Sequence, residues 1–170
     1  MFNKFLILVR MIFFKIRYPK KNTPKILGKI YFDNKNVFFG KKVVLSRNVR
    51  FWGNGDIYIS DGVCIGDNTT LFASKGAGID IGKDTFIAAN TYIIDMNHGY
   101  EIGKPISKCT DTSEKIEIGK NVWIGQDVTI LKGSEIGNGC VVGAKSLVNK
   151  KFGDEIIIAG IPAKKIKEKE

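Results

Sequence analysis

The chain has 170 residues, 44% of them hydrophobic, with 27 Lys and Arg against 17 Asp and Glu for a formal net charge of +10 at pH 7. That length and apolar content suit one globular domain and exclude disorder as the main state. Eight of the basic residues (Lys4, Arg10, Lys15, Arg17, Lys20, Lys21, Lys25 and Lys29) fall in the first 32 with no acid among them, leaving 10 − 8 = +2 for the rest. The charge therefore belongs to an appendage, which argues against a nucleic-acid-binding body. Cys64, Cys109 and Cys140 are an odd set with no CxxC and no histidine at ligand spacing. Reduced cytoplasmic thiols are expected, with no disulfide framework and no metal site.

Residues 1–16 are densely apolar, but Arg10 breaks the run at its middle. No stretch approaches the roughly 20 residues needed to cross a bilayer, and no small-x-small site marks a secretory leader. Wound as a helix, Asn3, Arg10 and Arg17 fall on one line and Lys4 lies beside Lys15, a basic stripe opposite a wide apolar arc. Two partners suit that arc: an anionic membrane surface met by residues 1–18, holding a cytoplasmic protein at the inner face, or the protein's own body or a neighbouring subunit. Pro19 and Pro24 are expected to end the helix. Residues 1–29 are thus read as helix and linker, and 30–168 as the body.

From about Ile30 the chain reads as short strands punctuated by Gly, Asn and Asp. Aliphatic residues recur every six positions at Ile59, Ile65 and Leu71, then in a new phase at Ile81, Ile87 and Ile93. The ten-residue step between the two sets predicts a bulge near Lys75–Gly78. Six unbroken hexads follow: Ile118, Ile124, Ile130, Ile136, Val142 and Val148, each with a partner four places on, Val122, Val128, Ser134, Cys140, Ser146 and Phe152. A fixed short period marks a solenoid. In Val122-Trp123-Ile124-Gly125-Gln126-Asp127 the strand is about three residues long, so both its ends point inward and its middle residue outward. The next three residues make a corner from types that tolerate tight turns. Between Ile93 and Ile118 the step is 25 residues, so a long excursion over 95–115 interrupts the repeat and holds His98, the one histidine in the sequence.

The hexads, together with Ile93-Ile94-Asp95-Met96-Asn97-His98, Asn121-Val122-Trp123-Ile124-Gly125 and Ala159-Gly160-Ile161-Pro162-Ala163-Lys164, resemble the hexapeptide-repeat acyltransferases. The likeness is to the maltose, galactoside and surface-polysaccharide O-acetyltransferase branch, and it covers roughly residues 57–168. It implies an all-β fold, a left-handed parallel β-helix with three strands per coil, preceded here by the amphipathic helix. It also implies a homotrimer with active sites between subunits, acetyl-coenzyme A as donor, and a single histidine as general base in a direct attack on the thioester. Residues 18 apart then share a face: Glu117 with Glu135, Trp123 with Val141, Thr129 with Leu147.

A neutral imidazole has the pKa to take a proton from a hydroxyl near pH 7, and the resemblance assigns that role to His98. Asp95 and Asn97 are the nearest polar residues able to orient it. Trp123 matches the family's donor-side tryptophan, and Gly143, Ala144 and Lys145 match the small-residue stretch along which pantetheine runs. Lys150, Lys164 and Lys167 match basic positions that meet the nucleotide phosphates, with Arg replaced by Lys at two of them, which keeps charge but loses bidentate contacts. Thr69-Thr70-Leu71-Phe72 lacks the acceptor-binding Asn of galactoside-type members, so acceptor recognition is expected to differ. The segment Met96–Ser113 is expected to reach a neighbouring subunit. The sequence therefore reads as an acetyl-coenzyme A-dependent O-acetyltransferase of a sugar or glycan hydroxyl in surface-polysaccharide synthesis. N-acetylation of an amino sugar, acetylation of serine or an antibiotic, and a non-catalytic scaffold are the rivals.

Overall fold

The computed structural model describes residues 2–17 and 22–170, with the side chains of Phe2, Asn3 and Arg17 excepted. The expected helix stop at Pro19 lies outside the described residues, as do Lys20 and Lys21. The expected left-handed parallel β-helix is the architecture found, and its strands form three sheets that are the three faces of the solenoid. One face stacks Lys25–Ile26, Val44–Leu45, Cys64–Ile65, Phe86–Ile87, Trp123–Ile124, Val141–Val142 and Ile156–Gly160. The second stacks Ile30–Phe32, Val49–Gly53, Thr70–Ala73, Tyr92–Ile94, Thr129–Ile130 and Leu147–Val148; the third stacks Val37–Phe39, Ile57–Ile59, Ile79–Ile81, Ile116–Ile118, Glu135–Ile136 and Lys151–Phe152. Neighbouring coils pair in parallel, and Ala163–Glu168 closes the first face by folding back antiparallel on Ile156–Gly160.

The hexad slots point inward as expected. The series Ile118 to Val148 is buried, and so is its partner series, with Cys140 as an interior filler. The pairs 18 apart are in register, Glu117 with Glu135, Trp123 with Val141 and Thr129 with Leu147. The solenoid also begins earlier than the aliphatic pattern indicates. Phe39, Leu45 and Phe51 are three hexad slots, with Val37, Val43 and Val49 as a parallel inward series, all buried. Phenylalanine in place of Ile or Val hides that period, and the first strand lies ahead of Ile30, at Lys25–Ile26.

One corner explains the polar punctuation. Asn48, Asn68, Asn90, Asp127 and Lys145 stack there with φ between 57° and 60°, a left-handed conformation that Asn and Asp adopt more readily than most residues. Their side chains form a ladder: Asn48 donates to Asn68 at 3.1 Å, Asn68 to Asn90 at 3.1 Å, and Asn90 to Asp127 at 3.0 Å.

The helix Phe2–Arg17 covers the open first coil. Phe14 is buried, 5.4 Å from Phe32 and 5.9 Å from Phe39 between ring centroids. Such edge and tilted contacts seal an end that would otherwise expose core rings to water. Arg10 does not join a solvent-facing basic stripe. Its guanidinium donates to the Leu27 carbonyl at 2.6 Å, because that strand-end carbonyl has no coil above it to bond. Among the described residues no helix is long and apolar enough to cross a membrane.

Candidate active site

The excursion leaves the corner between the second and third faces as a hairpin. Met96–Asn97 pairs antiparallel with Thr112–Ser113, and a 3-10 turn over Ile106–Lys108 lies in its tip. Continuing that register sets His98 opposite Asp111. His98 Nδ1 is 3.1 Å from Asp111 Oδ1, and the same oxygen accepts the Gly99 N–H at 3.2 Å. The hydrogen bond from the His98 ring, then that from Gly99, holds the Asp111 carboxyl below its ordinary pKa. An ionised carboxylate only accepts, so in the neutral ring Nδ1 carries the proton and Nε2 is the basic nitrogen. Beside the ring lies a cleft of about 410 Å³ lined by Ile94, Met96, Asn97, Tyr100 and Leu131.

The carboxylate that meets the ring is Asp111 and not the sequence neighbour Asp95. Asp95 is fully buried and turned away from it. Its two oxygens accept the Ser74 N–H at 2.8 and 2.9 Å, the Ser74 hydroxyl at 2.6 Å and the Gly78 N–H at 2.7 Å. Asp95 thus pins the bulge between the hexad phases, where Gly76 and Gly78 have φ of 90° and 120°, and so holds the root of the hairpin. Asn97 lines the cleft, but the ring's carboxylate partner is Asp111. A hairpin register drawn through the excursion was the signal available in the sequence for Asp111.

The expected donor residues divide between two places. Trp123, Gly143 and Ala144 share a groove of about 420 Å³ on the first face, together with Phe86, Gly125 and Val141. Trp123 is 55% exposed, stacked in register between Phe86 and Val141. A Cβ on Gly125 would come within 2.6 Å of the Ala144 nitrogen, so only glycine lets the coils stack there with backbone open along the groove. Lys164 pairs across from Ala159 in the strand bordering this groove, and Lys145 forms the adjacent corner, its N–H bonded to Gln126 O at 2.8 Å. Lys167 lies further along the final strand, paired with Glu170 at 3.4 Å. Lys150 stands apart, at the corner between the second and third faces, its ammonium 5.3 Å from the Phe152 ring centroid.

The third face has the charged character expected of it. Lys115 bridges Asp80 at 2.6 Å and Glu117 at 3.1 Å, and Lys151 meets Glu135 at 3.4 Å. Its groove is lined by Asp80, Glu117, Glu135 and Asp154 together with Lys120. Among the described residues no cluster of three His, Cys, Asp or Glu could hold a metal ion.

Within one chain, then, the His98 cleft and the Trp123 groove lie on different faces. The family model described as bacterial transferase hexapeptide (six repeats) matches residues 115–150, and the hexapeptide repeat of succinyl-transferase matches 61–94. WbbJ of Escherichia coli K12, named for O-acetyl transfer in lipopolysaccharide biosynthesis, is 36% identical over 143 residues, covering 78% of this chain and 72% of WbbJ. Other curated relatives are longer, and the chain spans 50% and 63% of the next two. In fold, the chain is similar to AntD of Bacillus cereus, an N-acyltransferase solved with a dTDP-amino sugar and coenzyme A, with TM-score 0.74 and 24% identity over 89% of this chain and 82% of AntD. It is also similar to VCA0836 of Vibrio cholerae, solved with acetyl-coenzyme A, with TM-score 0.58 and 22% identity over 89% and 69%.

Proposed function

The chain belongs to the hexapeptide-repeat acyltransferases, and on that premise we propose that it transfers an acetyl group from acetyl-coenzyme A to a sugar hydroxyl of a surface polysaccharide, with His98 as general base. The observation that carries this reading is the pairing of the lone imidazole with Asp111 at 3.1 Å, which leaves Nε2 basic beside a cleft. Nε2 takes the proton of the acceptor hydroxyl as its oxygen attacks the thioester carbonyl. The intermediate collapses, the C–S bond breaks, and the departing thiolate takes the proton back from the imidazolium, so ester and free thiol are the products. General-base help of this kind is worth ~10²–10⁴-fold. Asp111 keeps the ring in the useful tautomer and offsets the imidazolium charge.

The donor's pantetheine runs along the Trp123 groove past Gly143 and Ala144, with Lys145, Lys164 and Lys167 near the nucleotide phosphates. Lys150 and His98 lie on the far corner, so the site is completed by a second copy, whose hairpin brings His98 to the groove of its neighbour; three copies close the ring as a homotrimer. The acceptor is a glycan, by kinship with WbbJ. The absence of an Asn in Thr69-Thr70-Leu71-Phe72 favours an acceptor other than a simple galactoside.

The experiment is a screen of sugar acceptors with release of coenzyme A thiol as readout, followed by mild alkali on the product. An alkali-labile acetyl group supports the ester. An alkali-stable amide on an amino sugar overturns the O-acetyl assignment, and failure to bind coenzyme A in calorimetry overturns the enzyme reading.

A further inference from the structure

The helix Phe2–Arg17 buries Phe14 and half-buries Ile7, Val9 and Met11, yet still presents an apolar face to solvent. With Arg10 tied to Leu27 O and Phe14 sunk among Phe32 and Phe39, Phe5, Leu8, Ile12, Phe13 and Ile16 are 50–72% exposed. At 3.6 residues per turn these five fall on one continuous arc, and Lys4 and Lys15 run along one border of it. Single exposed apolar residues are ordinary, but a contiguous arc on one helix marks a docking face.

We propose that this face lies on an anionic lipid surface, with the helix axis in the plane of the interface. Charge chooses the occupant. The first 32 residues hold eight basic side chains and no acid, and Lys4, Lys15, Lys25 and Lys29 are exposed around the helix and the first coil. Long lysine stems can lie along an apolar boundary while their ammonium groups reach lipid phosphates. Position supports the same choice. The helix caps the open end of the solenoid, whereas copies joined side by side meet through the strand faces, so such assembly leaves the cap bare and turns each copy's cap the same way. Among the described residues no helix can span the bilayer, so the contact is peripheral. This inference stands apart from the acyl-transfer reading, and its test needs no activity.

The test is co-sedimentation of the full chain with vesicles of phosphatidylcholine containing phosphatidylglycerol, compared with phosphatidylcholine alone. Binding to the anionic vesicles, weakened by salt, is expected. Neutralising Lys4 and Lys15 to Gln should lower the partition roughly fivefold for each lysine. The double variant Ile12→Asp/Phe13→Glu should abolish binding with an unchanged melting curve, since both side chains face water. If that variant proves unfolded, the Lys4→Gln/Lys15→Gln pair decides alone, because it keeps all five exposed apolar side chains. Wild-type protein that stays in the supernatant with anionic vesicles overturns the proposal, as does binding indifferent to both variants. So does concentration-dependent end-to-end assembly in light scattering that the Ile12→Asp/Phe13→Glu variant removes, which gives the face to a second copy.

Discussion

Replacing Asp111 by Asn tests the assignment of the residue that orients His98. The amide keeps the size of the side chain but removes the charge and can donate as well as accept, so Nδ1–H is no longer enforced. Two losses can be worked from the geometry. Without a carboxylate the two neutral tautomers approach equal population, a factor of about two. The His98 side chain is 73% exposed, so once released its ring samples about three χ1 wells and two ring orientations, a further factor of about six. Together these predict a fall in kcat of roughly tenfold, more if the imidazolium charge weighs in the transition state, with the KM for acetyl-coenzyme A unchanged because Asp111 is not among the residues that line the donor groove. Steady-state thiol release at saturating acceptor reads this directly, and Asp111→Glu should restore part of the rate. An Asp111→Asn enzyme within twofold of wild type refutes the positioning role.

Other outcomes follow from the same contacts. Asp95→Ala strands the N–H groups of half-buried Ser74 and buried Gly78, a loss of about 2–5 kcal/mol, and differential scanning calorimetry should find a Tm lower by roughly 5–15 °C. Asp111 has a depressed folded pKa, so its contribution to holding the hairpin is present above the ordinary carboxylate value of about 4 and is lost as pH falls through the depressed one; limited proteolysis of the hairpin should be flat from pH 7 to about 4 and rise below, with the rise absent in Asp111→Asn. Mixing and reassembling subunits of His98→Ala with subunits of Trp123→Ala should regain a fraction of wild-type turnover that neither shows alone, because some interfaces then pair an intact histidine with an intact groove. No regain in verified mixed oligomers contradicts a site shared between copies.

How much of this was legible in the sequence depended on the kind of regularity each part uses. The six hexads from Ile118 to Val148 set coil, face and register, because a short strand and a tight corner leave one way to bury an aliphatic residue every sixth position. The first coils were harder to read, since Phe39 and Phe51 fill slots that Ile or Val fills elsewhere. The bulge near Lys75–Gly78 was visible from the phase break, but not that Asp95, 21 residues after Ser74, holds it. Sequence adjacency favoured Asp95 as the partner of His98, whereas the strand alternation at Ile94-Asp95 turns that carboxylate inward and the hairpin delivers Asp111 from 13 residues away. The helix posed the opposite problem. Its amphipathic pattern was plain, yet periodicity does not say which side meets the body, and it is the side carrying Phe14 and Arg10 that does, Phe14 packed on Phe32 and Phe39 and Arg10 bonded to Leu27 O.

Acetyl transfer by purified protein carrying His98→Ala, measured beside wild type with the same acceptor, tests the central claim most directly. Turnover lowered by ~10²–10⁴-fold, with coenzyme A binding and Tm preserved, is the predicted result. Turnover equal to wild type would contradict the assignment of the lone histidine as the base.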